Sequence, residues 1–503
     1  MDISIIKKQI KELGFPLVEE PEIRNGPDLV CYQVGAEGQL KAVVVVELKA
    51  QFSRNTSSNL LTWAVQYRAE YAARTDGSFI LWYQCVRDKM GDYLLVRASS
   101  APAQAWDGRP AYDYPEDKIS ELLLWFRDQV QHNPGVYDIQ GAWSGCLILL
   151  RAKLHAESIK VNSFRVLPRD DWNTFAQRIL EAEVAGGVNQ TRLNFRESNH
   201  DQALLRVGEY GPALPEIYLE FSRRIQALAL HIYQQVLVEK LVEMTYGLVG
   251  RQRGLQPSPS WLSEFMAEFL LLRLRPRLVV ELGSGLGTLM WKPALQWPEA
   301  QVIAVDNDFW LVQICSLLAD LLGLTNFQGF NADVLAESRN WPEEFQSALL
   351  KTEVDLVLSH PPIGNPTVVA YEANFELSRR RRYRLEELFL ERAVEITRPD
   401  GMIVMILPDT VLSSHSARLV REFMLRECWL EAVISLPQGI FTGTLALKAS
   451  LVLLRKKGYE PRPQAVFMAN LSEIRGELQP EALEEIIQAY GEWLETEGLR
   501  HGI

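Results

Sequence analysis

The chain has 503 residues, 47% hydrophobic and 23% charged, a composition typical of a folded protein long enough for roughly two to four domains. Its net charge of −12 excludes a uniformly basic nucleic-acid coat but leaves room for a local basic groove. No run approaches the roughly 18 apolar residues of a membrane span, the charged N-terminus lacks a signal-peptide core, and the five scattered cysteines fit reduced thiols. No membrane partner and a cytoplasmic location are therefore expected.

Residues 2–13 read as an amphipathic helix with Ile5, Ile6, Ile10 and Leu13 on one face. The turn Asn25-Gly26-Pro27 leads into a strand over 28–34. A second turn leads into a strand over 41–49, whose Val43–Val46 run is too apolar for an edge. Strand side chains alternate, so Glu47 and Lys49 share a face, and an antiparallel hairpin brings Asp28 beside them. Two carboxylates there suit a hard divalent cation such as Mg²⁺, which would lower the pKa of a bound water that Lys49 positions. The plainer reading is a solvated Glu–Lys pair at a strand end.

The pattern Pro27-Asp28 followed by Glu47-Leu48-Lys49 resembles the PD-(D/E)xK nucleases, above all the N-terminal nuclease domain of type I restriction subunits. The resemblance implies an α/β restriction-endonuclease-like domain over 1–133, with Asp28, Glu47 and Lys49 catalytic and Asp28 and Glu47 as Mg²⁺ ligands. A helix carrying Trp63, Gln66, Tyr67 and Tyr71 and a strand over 79–83 would continue it.

A helix over 116–131 ends at His132-Asn133-Pro134-Gly135, a domain boundary. Residues 134–250 read as a mixed, mainly helical connecting region. One long helix is expected from Pro215 to Tyr246, with Pro215 in its first turn and an apolar side from Ile217 to Leu241. The stretch 135–211 carries no assignable chemistry.

From about residue 251 strands and helices alternate, which argues for an open, doubly wound, mostly parallel sheet. Val279–Leu289 reads as a buried strand running into a turn with Gly283, Gly285 and Gly287 at alternate positions. A second strand ends at Asp306, a third at Asp333 and a fourth at Ser359-His360-Pro361-Pro362-Ile363; a fifth runs from Met402 to Leu407. Glycines and an acid at such strand ends would suit any nucleotide-like ligand. The Pro-Pro loop is not explained by a plain dinucleotide-binding fold.

The run from Val357 to Gly364, VLSHPPIG, resembles the VxxNPPF loop of amino-group DNA methyltransferases, and Gln256-Pro257-Ser258-Pro259 resembles their Gln-x-x-Thr-Pro motif. The downstream segments are similar to those of type I modification subunits. The resemblance implies a Rossmann-like, S-adenosylmethionine-dependent adenine-N6 DNA methyltransferase domain over 251–503. Carried over by position, Gly283, Gly285 and Gly287 would let the backbone approach the methionine part, with Glu281 near its amino group. Asp306 would hold the ribose, Asp333 the adenine amino group, and Pro257 and Pro259 would shape the methionine side. His360, Pro361, Pro362 and Ile363 would form the catalytic loop. In the family, Asn and the first Pro carbonyl accept hydrogen bonds from the target amine, and the aromatic stacks on a flipped-out base. This chain departs from that pattern: neutral His360 replaces the Asn, with one ring nitrogen able to accept, and Ile363 offers no π-face. Arg379, Arg380, Arg381, Arg382 and Arg384 follow and are candidates for phosphate contact, against the commoner reading of a charged helix face.

The expected function is thus a DNA modification protein of a restriction–modification or defence system, with DNA and a separate specificity subunit or restriction partner. Two further readings stand beside it. One is a non-catalytic module that binds DNA or S-adenosylmethionine, with His360 and Ile363 marking a retired site. The other is a nuclease regulated by S-adenosylmethionine.

Overall fold

The computed structural model describes residues 17–19, 28–34, 40–48, 63–65, 69, 71–75, 80–87, 93–98, 115–158, 164–167, 170–185, 207–226, 228, 230, 234–250, 255–364, 375–379, 383–441, 448–460, 463–471 and 480–499. Its contacts gather into two compact units, 1–125 with 228–240, and 126–227 with 241–503. No described helix is long and apolar enough to cross a membrane.

The first unit holds a six-stranded sheet in sequence order: β1 (Leu17–Glu19), β2 (Leu29–Val34), β3 (Leu40–Leu48), β4 (Tyr71–Thr75), β5 (Ile80–Arg87) and β6 (Tyr93–Ala98). All neighbours are antiparallel except β3 and β4. That parallel step needs a crossover, and the described piece of it is the short helix Trp63–Val65. Val44, Val45 and Val46 are fully buried, as a strand covered on both faces requires. The expected hairpin is present, with Leu29 opposite Val46. Tyr71, expected on the helix, instead opens β4, where its β-forming aromatic ring suits a strand.

The second unit is built on an eight-stranded sheet of β7 (Leu278–Leu282), β8 (Gln301–Asp306), β9 (Phe327–Asn331), β10 (Val354–Ser359), β11 (Thr397–Pro408), β12 (Cys428–Ser435), β13 (Ala449–Lys456) and β14 (Phe467–Asn470). Their spatial order is β14-β12-β13-β11-β10-β7-β8-β9. β13 alone runs against its neighbours; the rest are parallel. The chain leaves β7 towards β8 and β9, then returns to place β10 on the other side. The gap beyond the carboxyl ends of β7 and β10 is therefore a topological switch point, where open α/β sheets bind ligands. Every residue of β7 is buried, Glu281 included.

Residues 126–227 and 241–250, ahead of this sheet, belong to the same unit. Phe126, Tyr218 and Phe221 pack ring to ring, and Tyr218 Oη donates to the Ala142 carbonyl at 2.7 Å. Helix Ile139–Ser158 docks on helix Phe309–Leu321, where Trp310 Nε1 donates to Ser144 Oγ at 3.0 Å. The single helix expected over 215–246 is two, Leu214–Ile225 and Gln234–Thr245, followed by a π-turn over Tyr246–Gly250. Apolar periodicity alone does not reveal such a break, since both pieces bury the same kind of face.

At the amino end of the sheet lies a buried ion network. Glu431 receives Arg273 at 3.2 Å and Arg455 at 2.5 Å; Arg273 also reaches Glu460 at 2.6 Å, and Arg455 reaches Asp400 at 3.3 Å. Both guanidinium groups share their charge among several carboxylates, as buried arginines must.

Candidate functional site

At the switch point a cavity of about 380 Å³ opens between the glycine turn after β7, the end of β8, the end of β10 and residues 255–258. Glu281, Gly283, Gly285, Asp306, Asp333, Pro257, His360, Pro361 and Pro362 all line it. Pro259 and Gly287, expected beside the cofactor, and Ile363, expected in the catalytic loop, do not line it. Pro259 is the extended residue that starts helix Ser260–Leu271.

The glycine turn adopts φ of +67°, +53° and +73° at Gly283, Gly285 and Gly287, which side chains disfavour. The space around them differs. A Cβ on Gly283 would come 3.0 Å from the Phe389 ring, and one on Gly285 would come 3.3 Å from Leu255, both in the cavity wall. A Cβ on Gly287 would lie 2.6 Å from Cys315 Sγ and 2.8 Å from Trp291 Nε1. Gly287 therefore allows close packing behind the turn, a correction to its assignment as a methionine-side contact.

Asp306 is more than a ligand candidate. Its two oxygens accept the backbone N–H groups of Gly285 at 2.8 Å and Asp308 at 2.9 Å. It staples the turn to the end of β8. Asp333 Oδ1 similarly accepts Leu335 N–H at 3.0 Å. Glu281 is different: its Oε2 is buried with no partner. Burial raises the pKa of Glu281 well above the carboxylate range, and the nearby Asp306 charge raises it further. An acid held this way is poised for a cationic group.

Ser359 Oγ donates to the Leu282 carbonyl at 2.8 Å, tying the end of β10 to that of β7. His360 follows. Its Nδ1 is 3.2 Å from Ser258 Oγ, its ring lies 4.4 Å from Phe441, and its Nε2 is buried without a partner. Burial lowers its pKa to about 4, partly offset by the Gln256 carbonyl, so the imidazole is neutral near pH 7. Beyond Pro362 the loop is anchored by Glu386, which accepts Gly364 N–H at 2.9 Å; burial raises the Glu386 pKa. The sequence reading missed Glu386, Phe389 and Thr288. They lie on helices and turns whose patterns read as plain packing.

In the first unit, the Asp28 N–H donates to the Val46 carbonyl at 3.0 Å and the Asp28 carboxylate accepts Leu48 N–H at 2.6 Å. Asp28 thus sits beside the end of β3. Glu47 lies on β3, but its side chain is outside the described residues, as is Lys49. No cluster of metal-binding side chains occurs among the described residues. Of the arginine run, Arg380, Arg381 and Arg382 are outside the described residues and only the backbone of Arg379 is within them. Arg384 is exposed, starts helix Leu385–Ile396, and has its guanidinium 3.8 Å from Glu386.

The donor set fits S-adenosylmethionine: an unpaired buried acid for an ammonium, strand-end acids, and a turn whose missing side chains leave room. The large mixed sheet and its order are typical of the Rossmann-like fold of methyltransferases. The model of the family described as N-6 DNA Methylase matches residues 323–501. The methylase subunit of the type I restriction enzyme EcoEI of Escherichia coli is 26% identical over 105 residues, 21% of either chain. A release factor glutamine methyltransferase of Xylella fastidiosa is 32% identical over 120 residues, 23% of this chain and 40% of that one. The chain thus spans well under half the length of either relative. Among solved structures, a type I restriction-modification methyltransferase subunit from Streptococcus thermophilus superposes with TM-score 0.53 and 15% identity over 75% of this chain and 93% of its own. The C-terminal part of the chain is thus similar to the N-6 DNA Methylase family.

Proposed function

We propose that the chain transfers a methyl group from S-adenosylmethionine to the N6 amine of adenine in DNA, as the modification component of a restriction–modification or defence system. The observation that carries this reading is the cavity itself, lined both by Glu281, whose Oε2 has no partner, and by His360-Pro361-Pro362. S-adenosylmethionine supplies a methyl group on an electrophilic sulfonium. Glu281 would hold the methionine ammonium, Asp306 the ribose hydroxyls and Asp333 the adenine amino group. His360 and the Pro361 carbonyl would receive the hydrogens of the target amine and turn its lone pair towards the methyl. Ile363 would contact a flipped base by dispersion alone. Partners on this reading are DNA, met by the Arg379–Arg384 run, and a separate specificity or restriction subunit.

The test is methyl transfer from labelled S-adenosylmethionine to mixed-sequence DNA, with N6-methyladenine detected by mass spectrometry. Product is expected from the wild type and more from His360→Asn/Ile363→Phe. Cofactor binding without product in either protein contradicts the catalytic reading and favours a binding module.

For the first unit we propose a Mg²⁺-dependent nuclease site of Asp28, Glu47 and Lys49. Its support is the placement of Asp28 against the end of β3. Mg²⁺-dependent nicking that survives Lys49→Ala would remove Lys49 from that site.

A further inference from the structure

An imidazole can stand in for an amide acceptor in only one of its two neutral tautomers. At His360 the surroundings select between them. Nδ1 lies 3.2 Å from Ser258 Oγ, and Nε2 is buried with no partner. Ser258 is itself held: it is buried, and its backbone N–H donates to Thr288 Oγ1 at 2.9 Å, just after the glycine turn. The Gln256 carbonyl, from the same segment, also acts on the ring. Phe441 packs against the ring, 4.4 Å away at 50°.

We propose that Ser258 is a positioning residue: its Oγ accepts the Nδ1–H of His360, a residue that lines the cavity, so that Nε2 keeps the lone pair that receives one N–H of the target amine. The nature of that amine rests on the methyl-transfer reading above. One consideration chooses this tautomer. In the opposite one, Nε2–H would be a buried donor with nothing to receive it, which costs more than an unfilled lone pair. Burial keeps the ring neutral, so the lone pair is present across the physiological range.

The step balances simply. With one N–H held by Nε2, the amine lone pair forms the new N–CH₃ bond as the S–CH₃ bond breaks. The electron pair of that bond stays on sulfur, and the surplus amine proton leaves to water. Ser258 touches neither reacting atom and acts only through His360.

Full-length protein labelled with ¹⁵N-histidine tests this directly. Long-range ¹H–¹⁵N spectra report which ring nitrogen carries the proton, and the signals lost in His360→Asn assign the residue. The expected spectrum has a protonated Nδ1 and an unprotonated Nε2 in the wild type, and a mixed or reversed state in Ser258→Ala. Ser258→Thr, which keeps the hydroxyl, is expected to restore the wild-type state. In kinetics, Ser258→Ala is expected to lower kcat about tenfold with the KM for S-adenosylmethionine unchanged, and to add nothing in the His360→Asn background. A protonated Nε2 in the wild type, or an unchanged tautomer in a folded Ser258→Ala, overturns the proposal. The tautomer is read without any methyl acceptor, so this outcome is separate from a failure to methylate DNA, which would overturn the proposed function.

Discussion

The two ends of the eight-stranded sheet handle buried charge in opposite ways. At the amino end, Arg273, Arg455 and Glu431 are almost wholly buried, and each is paired, with Asp400 and Glu460 completing the network. At the carboxyl end, Glu281 and His360 leave buried atoms with no partner. A protein tolerates the cost of an unpaired buried polar atom where a ligand is to satisfy it. The first end is scaffold; the second is the proposed ligand site.

That contrast can be broken from either side. The largest effect belongs to the scaffold. Glu431→Gln leaves two buried guanidinium groups short of a charge and is expected to cost about 3–5 kcal/mol in urea unfolding, with cofactor affinity unchanged in the folded protein. Gly283→Ala forces a φ of +67° on a residue with a Cβ and presses it against Phe389. A loss of about 1–2 kcal/mol is expected from the backbone alone, together with weaker S-adenosylmethionine binding. Gly287→Ala has similar strain but no cavity contact, so its loss should be in stability without the same loss of binding.

The smallest effect is the pH dependence at His360. Its pKa falls from 6.5 unfolded to about 4 folded, so between these values the unfolded chain binds more protons. Stability should fall as pH drops through that window, and His360→Asn should flatten this part of the profile. Glu281 has the opposite sign. Its raised pKa means that stability falls as pH rises above the ordinary glutamate value, because ionising an unpaired buried carboxylate is unfavourable.

Much of the second unit was legible in the sequence because its signals are local. The apolar run of β7, the acids closing β8 and β10's Pro-Pro loop place the strand ends directly. The cavity inherits its position from those ends. What was hidden depends on contacts between distant segments. Gly287 looked like its two neighbours until Cys315 and Trp291 were found behind it. Ser258 and His360 are far apart in sequence, and only folding brings them to 3.2 Å. Asp306 read as a ribose ligand, while its bonds to Gly285 and Asp308 give it a structural duty as well. In the first unit the hairpin register followed from alternation and turns. Tyr71 was misplaced because helix and strand patterns overlap over so few residues.

The most direct test of the contrast is a paired measurement on Glu281→Gln. Calorimetry with S-adenosylmethionine should show affinity reduced by about ten- to a hundredfold, the range for a lost charge-assisted hydrogen bond. Urea unfolding at pH 7 should show stability equal to or above the wild type, since the variant has no buried carboxylate whose ionisation is penalised. Unchanged affinity, or a clear loss of stability in its place, would contradict the assignment of Glu281 as the acid that meets the cofactor.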